Sequence, residues 1–112
     1  MSLTAIYAQL SCTDLERSTE WFTLLFERKP DGTPMEGLAE WHHGEQAGFQ
    51  LFEDANNAGR GTLTLIVADL GAERSRLSEA GLLPGKVEEA DYTTISRFRD
   101  PDDNLVVLAQ PS

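Results

Sequence analysis

Residues 96–110, SRFRDPDDNLVVLAQ, predict a strand, a tight turn and a second strand. Pro101 sets the φ angle needed at the first central position of a turn, and Asp100 can accept hydrogen bonds from the turn's backbone. Asp103 follows, and Asp tolerates a left-handed backbone better than most non-glycine residues. The apolar run 105–109 is typical of a mostly buried strand. A simple hairpin in an α+β domain is one interpretation of these residues.

The remaining chain contains two similar halves. In the first, a strand over 3–10 leads to a helix that begins at a capping box, Thr13 to Glu16, and ends near residue 26. In the second, a strand over 62–67 leads to a helix that is capped by Asp69 and ends at Gly81. Each half then has the alternating apolar residues of short strands. The predicted positions of these strands are 28–31, 38–43, 48–53, 86–88, 92–99 and 105–109.

The two predicted helices begin 55 positions apart, at Asp14 and Asp69, so the spacing predicts one structural unit used twice. We interpret residues 1–112 as a single domain with one module at about 1–54, a polar linker at about 55–61 and a second module at about 62–112. The predicted fold class is α+β, with two tandem βαβββ modules.

Three segments resemble the glyoxalase / bleomycin-resistance / extradiol-dioxygenase superfamily, also called the vicinal oxygen chelate superfamily. They are SCTDLERSTEWFTLLFERKP (11–30), LTLIVADLGAERSRLSEAGL (63–82) and FRDPDDNLVVL (98–108), in the family's order. The last resembles the family's D-P-D-G-N turn, with Asp103 where Gly is usual. The resemblance implies that the modules form a curved mixed sheet around a cleft, with the helices outside. It also implies that a chain this short forms a homodimer.

Members of the superfamily that use a metal hold it with four inward side chains. The resemblance places these positions at Tyr7, Gln50, Thr62 (or Leu63 in the alternative register) and Val107. Zinc, iron and manganese sites use imidazole, thiolate or carboxylate ligands in sets of three or more, and only Gln50 is a ligand type that the family uses. We therefore expect no bound metal and no cofactor. Neighbouring strand residues point to opposite faces, so the pair at 42–43 cannot chelate an ion together.

Composition narrows the class of partner. The net charge is −10, which disfavours nucleic acids and anionic membranes. Cys12 is the single cysteine, so an internal disulfide is excluded and a cytoplasmic location is expected. No signal peptide or membrane-spanning apolar run is apparent.

Without a metal, an aromatic cleft with a few polar groups indicates a small-molecule site. Strand alternation places Tyr7, Gln50 and Phe52 on one face if Tyr7 points inward, and Trp41 and His43 share one face of their own strand. Whether His43 and Arg97 face the cleft is open, and Trp41 and Phe52 are equally well explained as core or dimer-interface residues. The candidate ligand-binding residues are Tyr7, Trp41, His43, Gln50, Phe52 and Arg97.

Three functions are compatible with these features. The favoured one is a bleomycin-resistance-like protein that binds a hydrophobic or cationic small molecule by aromatic stacking without a metal. The alternative is a metal-dependent glyoxalase-like lyase or isomerase, or a ring-cleaving dioxygenase. A carboxylate base is absent at the family's two Glu-type positions, which weighs against an enzyme. The third is an accessory domain that serves a partner protein or has no ligand.

Overall fold

The computed structural model describes residues 1–112 as ten elements in two successive groups. The first group is β1 (Ile6–Cys12), α1 (Leu15–Phe26), β2 (Gly32–Met35), β3 (Leu38–His43) and β4 (Ala47–Glu53). The second is β5 (Thr62–Ile66), α2 (Leu70–Glu79), β6 (Glu88–Glu89), β7 (Thr93–Arg99) and β8 (Leu105–Pro111). The order βαβββ therefore occurs twice, as the spacing of the two helix starts predicts.

Hydrogen bonding divides the strands into two four-stranded mixed sheets, with the orders β1-β4-β3-β2 and β5-β8-β7-β6. In each sheet the first strand pairs in parallel with the last strand of its module, and the other pairs are antiparallel. The parallel pair needs the long crossover that the helix supplies. β1 and β5 are neighbours without forming a shared ladder. The α+β class and the two modules are confirmed.

One apolar core joins the modules. α1 packs on β3 and β4, where Phe22 is fully buried and lies 4.8 Å from the ring centroid of Phe49. Trp21 on the same helix packs against Phe98 of β7, with ring centroids 5.6 Å apart. Neither helix is long and apolar enough to span a membrane.

The start of α1 differs from the predicted capping box. The N-cap is Asp14, whose carboxylate accepts from the backbone N–H of Arg17. Thr13 is outside the helix and donates its hydroxyl to Asp102 instead. Asp14 also accepts the first backbone bond of the helix, from the N–H of Ser18, so the helix begins one residue later than the Thr13–Glu16 capping box and that prediction is wrong. The Asp69 cap of α2 is confirmed by its bond from the N–H of Ala72.

Two strand predictions in the first module are displaced. β1 begins at Ile6 rather than residue 3, and β2 lies at Gly32–Met35 rather than 28–31. Residues 28–31 instead place Arg28 against Asp31 in an ion pair of 2.9 Å, and Asp31 accepts from the backbone N–H of His42. Side-chain hydrogen bonds therefore connect this segment to β3 in place of strand pairing. The strand preferences of the individual residues do not predict such bonds.

The closing turn has the predicted geometry. Asp100 is 5% exposed and accepts from the backbone N–H groups of Asp102 and Asn104. Asp103 has φ 74°, the left-handed conformation expected at the position where the family has Gly. Asn104 is fully buried and donates its side-chain amide to the carbonyl of Ser11 at the end of β1. The turn of the second module thereby fastens the first module.

Candidate functional site

Strand register places a row of polar and aromatic side chains on the face of the first sheet that points away from α1. Gln9 of β1, Gln50 of β4 and Glu40 of β3 are direct partners across the sheet. The next row lies two positions away on the same three strands and consists of Tyr7, Gly48 and His42. Side chains two positions apart share a face. We call this set the sheet-face site: Tyr7, Gln9, Glu40, His42, Gln50 and Phe52.

The polar members form one continuous chain of hydrogen bonds. Gln9 Nε2 donates to Gln50 Oε1 at 2.9 Å, and Gln50 Nε2 donates to Glu40 Oε2 at 2.8 Å. His42 Nε2 lies 2.8 Å from the other carboxylate oxygen, Glu40 Oε1. Both ends of the Gln50 amide are therefore engaged within the protein, and the carboxylate is held by a partner on each oxygen.

The carboxylate of Glu40 is the charged centre of this surface. The hydrogen bond from Gln50 lowers the pKa of Glu40 below its ordinary value, and the bond with His42 lowers that pKa further. Hydrogen bonds to the ionised form favour that form. Glu40 is consequently anionic at neutral pH, and the site offers a fixed negative charge bordered by amides.

The aromatic part of the site depends on a glycine. A Cβ at Gly48 would lie 2.5 Å from Cε2 of Tyr7 and 2.8 Å from the carbonyl oxygen of Trp41. The Tyr7 ring therefore lies over the space that the missing side chain leaves. Its centroid is 6.1 Å from that of His42 in an edge-on arrangement, and Tyr7 remains 37% exposed. The ring presents an accessible π surface beside the Glu40 network.

The structure separates Trp41 and His43 from the sheet-face site. Both lie on the opposite face of β3, since they alternate with Glu40 and His42. Trp41 is 3% exposed and packs among Phe22, Phe26 and Phe49. Its indole N–H donates to the carbonyl of Arg28 at 2.9 Å. Trp41 is thus a core residue, the alternative that the sequence left open.

Arg97 lies on the second sheet, opposite Val107 of β8. Its guanidinium forms an ion pair of 3.2 Å with Glu88 of β6 and makes no hydrogen bond to the first sheet. Phe52 shares the face of Gln50, two positions along β4, and is partly buried. Tyr7, Gln50 and Phe52 are therefore brought together, whereas Trp41, His43 and Arg97 lie elsewhere.

The four positions that the resemblance assigns to a metal do not form a suitable set of donors. Gln9, not Tyr7, is directly opposite Gln50, and Thr64, not Thr62, is directly opposite Val107. The Gln50 oxygen already accepts a hydrogen bond, and the valine has no lone pair. No group of three or more His, Cys, Asp or Glu side chains is placed to hold an ion. These residues do not fit a divalent metal.

Sequence reasoning missed Gln9 and Glu40, and it treated His42 only as half of a histidine pair. The register of the β3–β4 hairpin would have predicted the position of Glu40 beside Gln50. This register pairs His42 with Gly48 and Glu40 with Gln50. Counting outward from the tight turn at Gly44, where φ is 65°, would have placed the carboxylate beside the amide.

No family model and no curated protein matches the chain. Among solved structures, a glyoxalase / bleomycin resistance protein from Catenulispora acidiphila is similar, with 29% identity and a TM-score of 0.86 over 97% of this chain and 98% of that one. TnmS3, described as an antibiotic binding protein from a Streptomyces species, has 19% identity and a TM-score of 0.80 over 100% and 97%. A lactoylglutathione lyase from Agrobacterium tumefaciens has 16% identity and a TM-score of 0.79 over 98% and 95%.

These neighbours confirm the resemblance that the sequence motifs indicate. The chain has the fold of the glyoxalase / bleomycin resistance proteins, the fold of the vicinal oxygen chelate superfamily. Since that fold is shared by a protein described as antibiotic binding and by a lyase, the fold alone does not select the activity.

Proposed function

We propose that this protein binds a small hydrophobic or cationic molecule at the sheet-face site without a metal. The observation that supports this proposal is the exposed ring of Tyr7 next to His42, whose imidazole is hydrogen-bonded to the anionic Glu40 carboxylate. A cation near an aromatic face is attracted by the ring as well as by the carboxylate. Such a ligand stacks on Tyr7 and places its charged group toward Glu40.

The overall charge favours the same class of ligand. The chain has 19 acidic and 9 basic side chains, so its field attracts cations over a distance of about one Debye length. The similar Streptomyces protein described as antibiotic binding gives this class a precedent on the same fold. The metal-dependent lyase or dioxygenase alternative lacks a suitable set of donors here.

We also propose that two chains associate as a homodimer in the cytoplasm. Large apolar side chains are exposed on the isolated chain, among them Leu83 at 85% and Tyr92 at 84%. Surfaces of this kind are commonly covered by a partner. Cys12 is buried and unpaired, which suits a reducing compartment. Sedimentation equilibrium tests the association, and a monomer at all concentrations would exclude it.

Calorimetric titration with one ring system in two charge states tests the binding proposal. We expect 9-aminoacridine, a planar cation, to bind at least ten times more tightly than acridine-9-carboxylate. Glu40→Gln should reduce the affinity for the cation about tenfold, which corresponds to about 1.4 kcal/mol. Tyr7→Leu should weaken 9-aminoacridine because it removes the stacking surface.

The control for the charge change is Glu79→Gln, at the exposed end of α2. It removes the same charge at a position outside the site, so the affinity for 9-aminoacridine should remain within twofold of the unmodified protein. Equal losses in Glu40→Gln and Glu79→Gln would show that net charge alone attracts the cation, and the proposed site would be wrong.

A further inference from the structure

A separate cavity of about 450 Å³ opens on the helix-facing side of the first sheet, beside β5. It is lined by residues of β1, β3, β4 and β5 and by the end of α1. Its volume lies within the usual range of small-molecule sites, and its walls are mainly apolar. The apolar walls are formed by Ala8, Phe26, Trp41, Phe49, Leu63 and Leu65.

This cavity is distinct from the sheet-face site because the two lie on opposite faces of the same strands. Ala8 lines the cavity and lies between Tyr7 and Gln9 in sequence, and Trp41 lies between Glu40 and His42. Gly48 and His42 border both. Ala8 is exposed, so the wall that it forms is accessible from solvent.

The ionisable side chains on the cavity wall are all basic. Although the sequence has 19 Asp and Glu residues, none lines this cavity. Its ionisable lining residues are Arg28, His42 and His43. Arg28 donates to Asp31 and to the carbonyl of His42, which holds its guanidinium at this wall. The His43 side chain makes no hydrogen bond within the protein and is available to a ligand.

We propose that this cavity is a second binding site, for a small aromatic acid. The aromatic ring of the ligand lies against the wall that Phe26, Trp41 and Phe49 form together, and its carboxylate is directed to Arg28 and His43. Aromatic contacts supply most of the affinity, and the ring nitrogens of His43 and the Nε–H of Arg28, which have no partner in the protein, select the carboxylate. This site is independent of the cation-binding function proposed for the opposite face.

Nuclear magnetic resonance of the whole protein with 2-naphthoate tests the proposal directly. The indole N–H of Trp41 donates to the Arg28 carbonyl at the cavity wall, so its signal should shift as 2-naphthoate is added. Trp21 does not line the cavity and serves as an internal reference. Judged by the Trp41 signal, which reports on this cavity, 2-naphthoate should bind at least five times more tightly than 2-naphthylmethanol, and 2-naphthylmethylamine should bind weakest.

Variants on the cavity wall provide a second test of where 2-naphthoate binds. Ala8→Phe fills the cavity and should reduce the affinity for 2-naphthoate at least tenfold, whereas Ala72→Phe, on the exposed face of α2, should leave it unchanged. Arg28→Gln should weaken 2-naphthoate but not 2-naphthylmethanol, so the alcohol reports whether the cavity itself is intact. Thermal unfolding of each variant shows whether it is folded. Ala47→Leu replaces Ala8→Phe if the latter is unfolded.

Three results would overturn the proposal. One is an unchanged Trp41 signal at millimolar 2-naphthoate. Another is equal affinity for the acid and the amine when both are followed by the Trp41 signal. The third is a loss of 2-naphthoate affinity in Ala72→Phe equal to that in Ala8→Phe. None of these outcomes bears on the binding of 9-aminoacridine at the sheet-face site, so the two proposals fail separately.

Discussion

Substitution of Asp102 should destabilise the whole chain, because its carboxylate joins the last turn to the first helix. The side chain of Asp102 is 5% exposed. It accepts from the Thr13 hydroxyl at 2.6 Å, from the Thr13 backbone N–H at 3.2 Å and from the Ser18 hydroxyl at 3.2 Å. Arg17 completes the set with an ion pair of 3.5 Å. We predict that Asp102→Ala disconnects these groups.

The magnitude follows from the burial of each donor. A hydrogen bond to a charged acceptor contributes about 1.5–3 kcal/mol, and a buried donor left without a partner costs about 1–3 kcal/mol. Ser18 is fully buried, so water cannot replace its lost acceptor. Arg17 is half exposed, and its ion pair contributes at most about 1 kcal/mol. Since the bonds share one carboxylate, they are not additive, and the expected loss is about 3–4 kcal/mol.

Urea unfolding followed by circular dichroism measures this loss as a change in the free energy of unfolding. The melting temperature should fall by roughly 10–15 °C in a chain of this size. Asp91→Ala is the matched control, because Asp91 is exposed and makes no hydrogen bond through its side chain, and it should change stability by less than about 0.5 kcal/mol. A loss below about 1 kcal/mol in Asp102→Ala would show that the two modules are held together without this carboxylate.

Three further predictions concern single residues. Asp103→Gly should be neutral or stabilising by up to about 1 kcal/mol in urea unfolding, since φ is 74° there; a clear fall in melting temperature would contradict this. Gly48→Ala should cost about 1–3 kcal/mol and displace the Tyr7 ring, which a crystal structure or the Tyr7 ring signals would show. Burial raises the pKa of the Cys12 thiol to about 11, from an ordinary value of 9.0, so Ellman's reagent at pH 8 should react only on unfolding. The folded state holds the thiol proton more tightly than the unfolded chain does. This difference should add to the free energy of unfolding below pH 9, and the addition should disappear as the pH rises toward 11. Rapid labelling of Cys12 in the native protein would show that the thiol is not buried.

The fold was predictable because its signals are local and repeated. Asp69 caps α2 through its own side chain, and Asp100 organises its own turn, so residue type and spacing were sufficient. The capping of α1 was not predictable in the same way. Thr13 is bonded to Asp102, 89 positions away, and a bond of that range leaves no pattern near the helix.

The candidate site was predictable only in part for the same reason. Strand alternation correctly grouped Tyr7, Gln50 and Phe52 on one face, since alternation is a property of each strand. It did not reveal that Trp41 faces the core, because the face that a strand buries depends on where α1 packs. Glu40 entered the site through strand register, which requires the pairing as well as the alternation.

The metal content of the purified protein shows whether the sheet-face site works without a metal. The donors around Gln50 are too few to retain a divalent ion, and we propose that ligands bind through Tyr7 and Glu40 instead. Elemental analysis after purification without chelator should therefore give much less than one equivalent of Ni, Zn, Fe or Mn per chain. One equivalent that Gln50→Ala removes would show that the site is a metal centre.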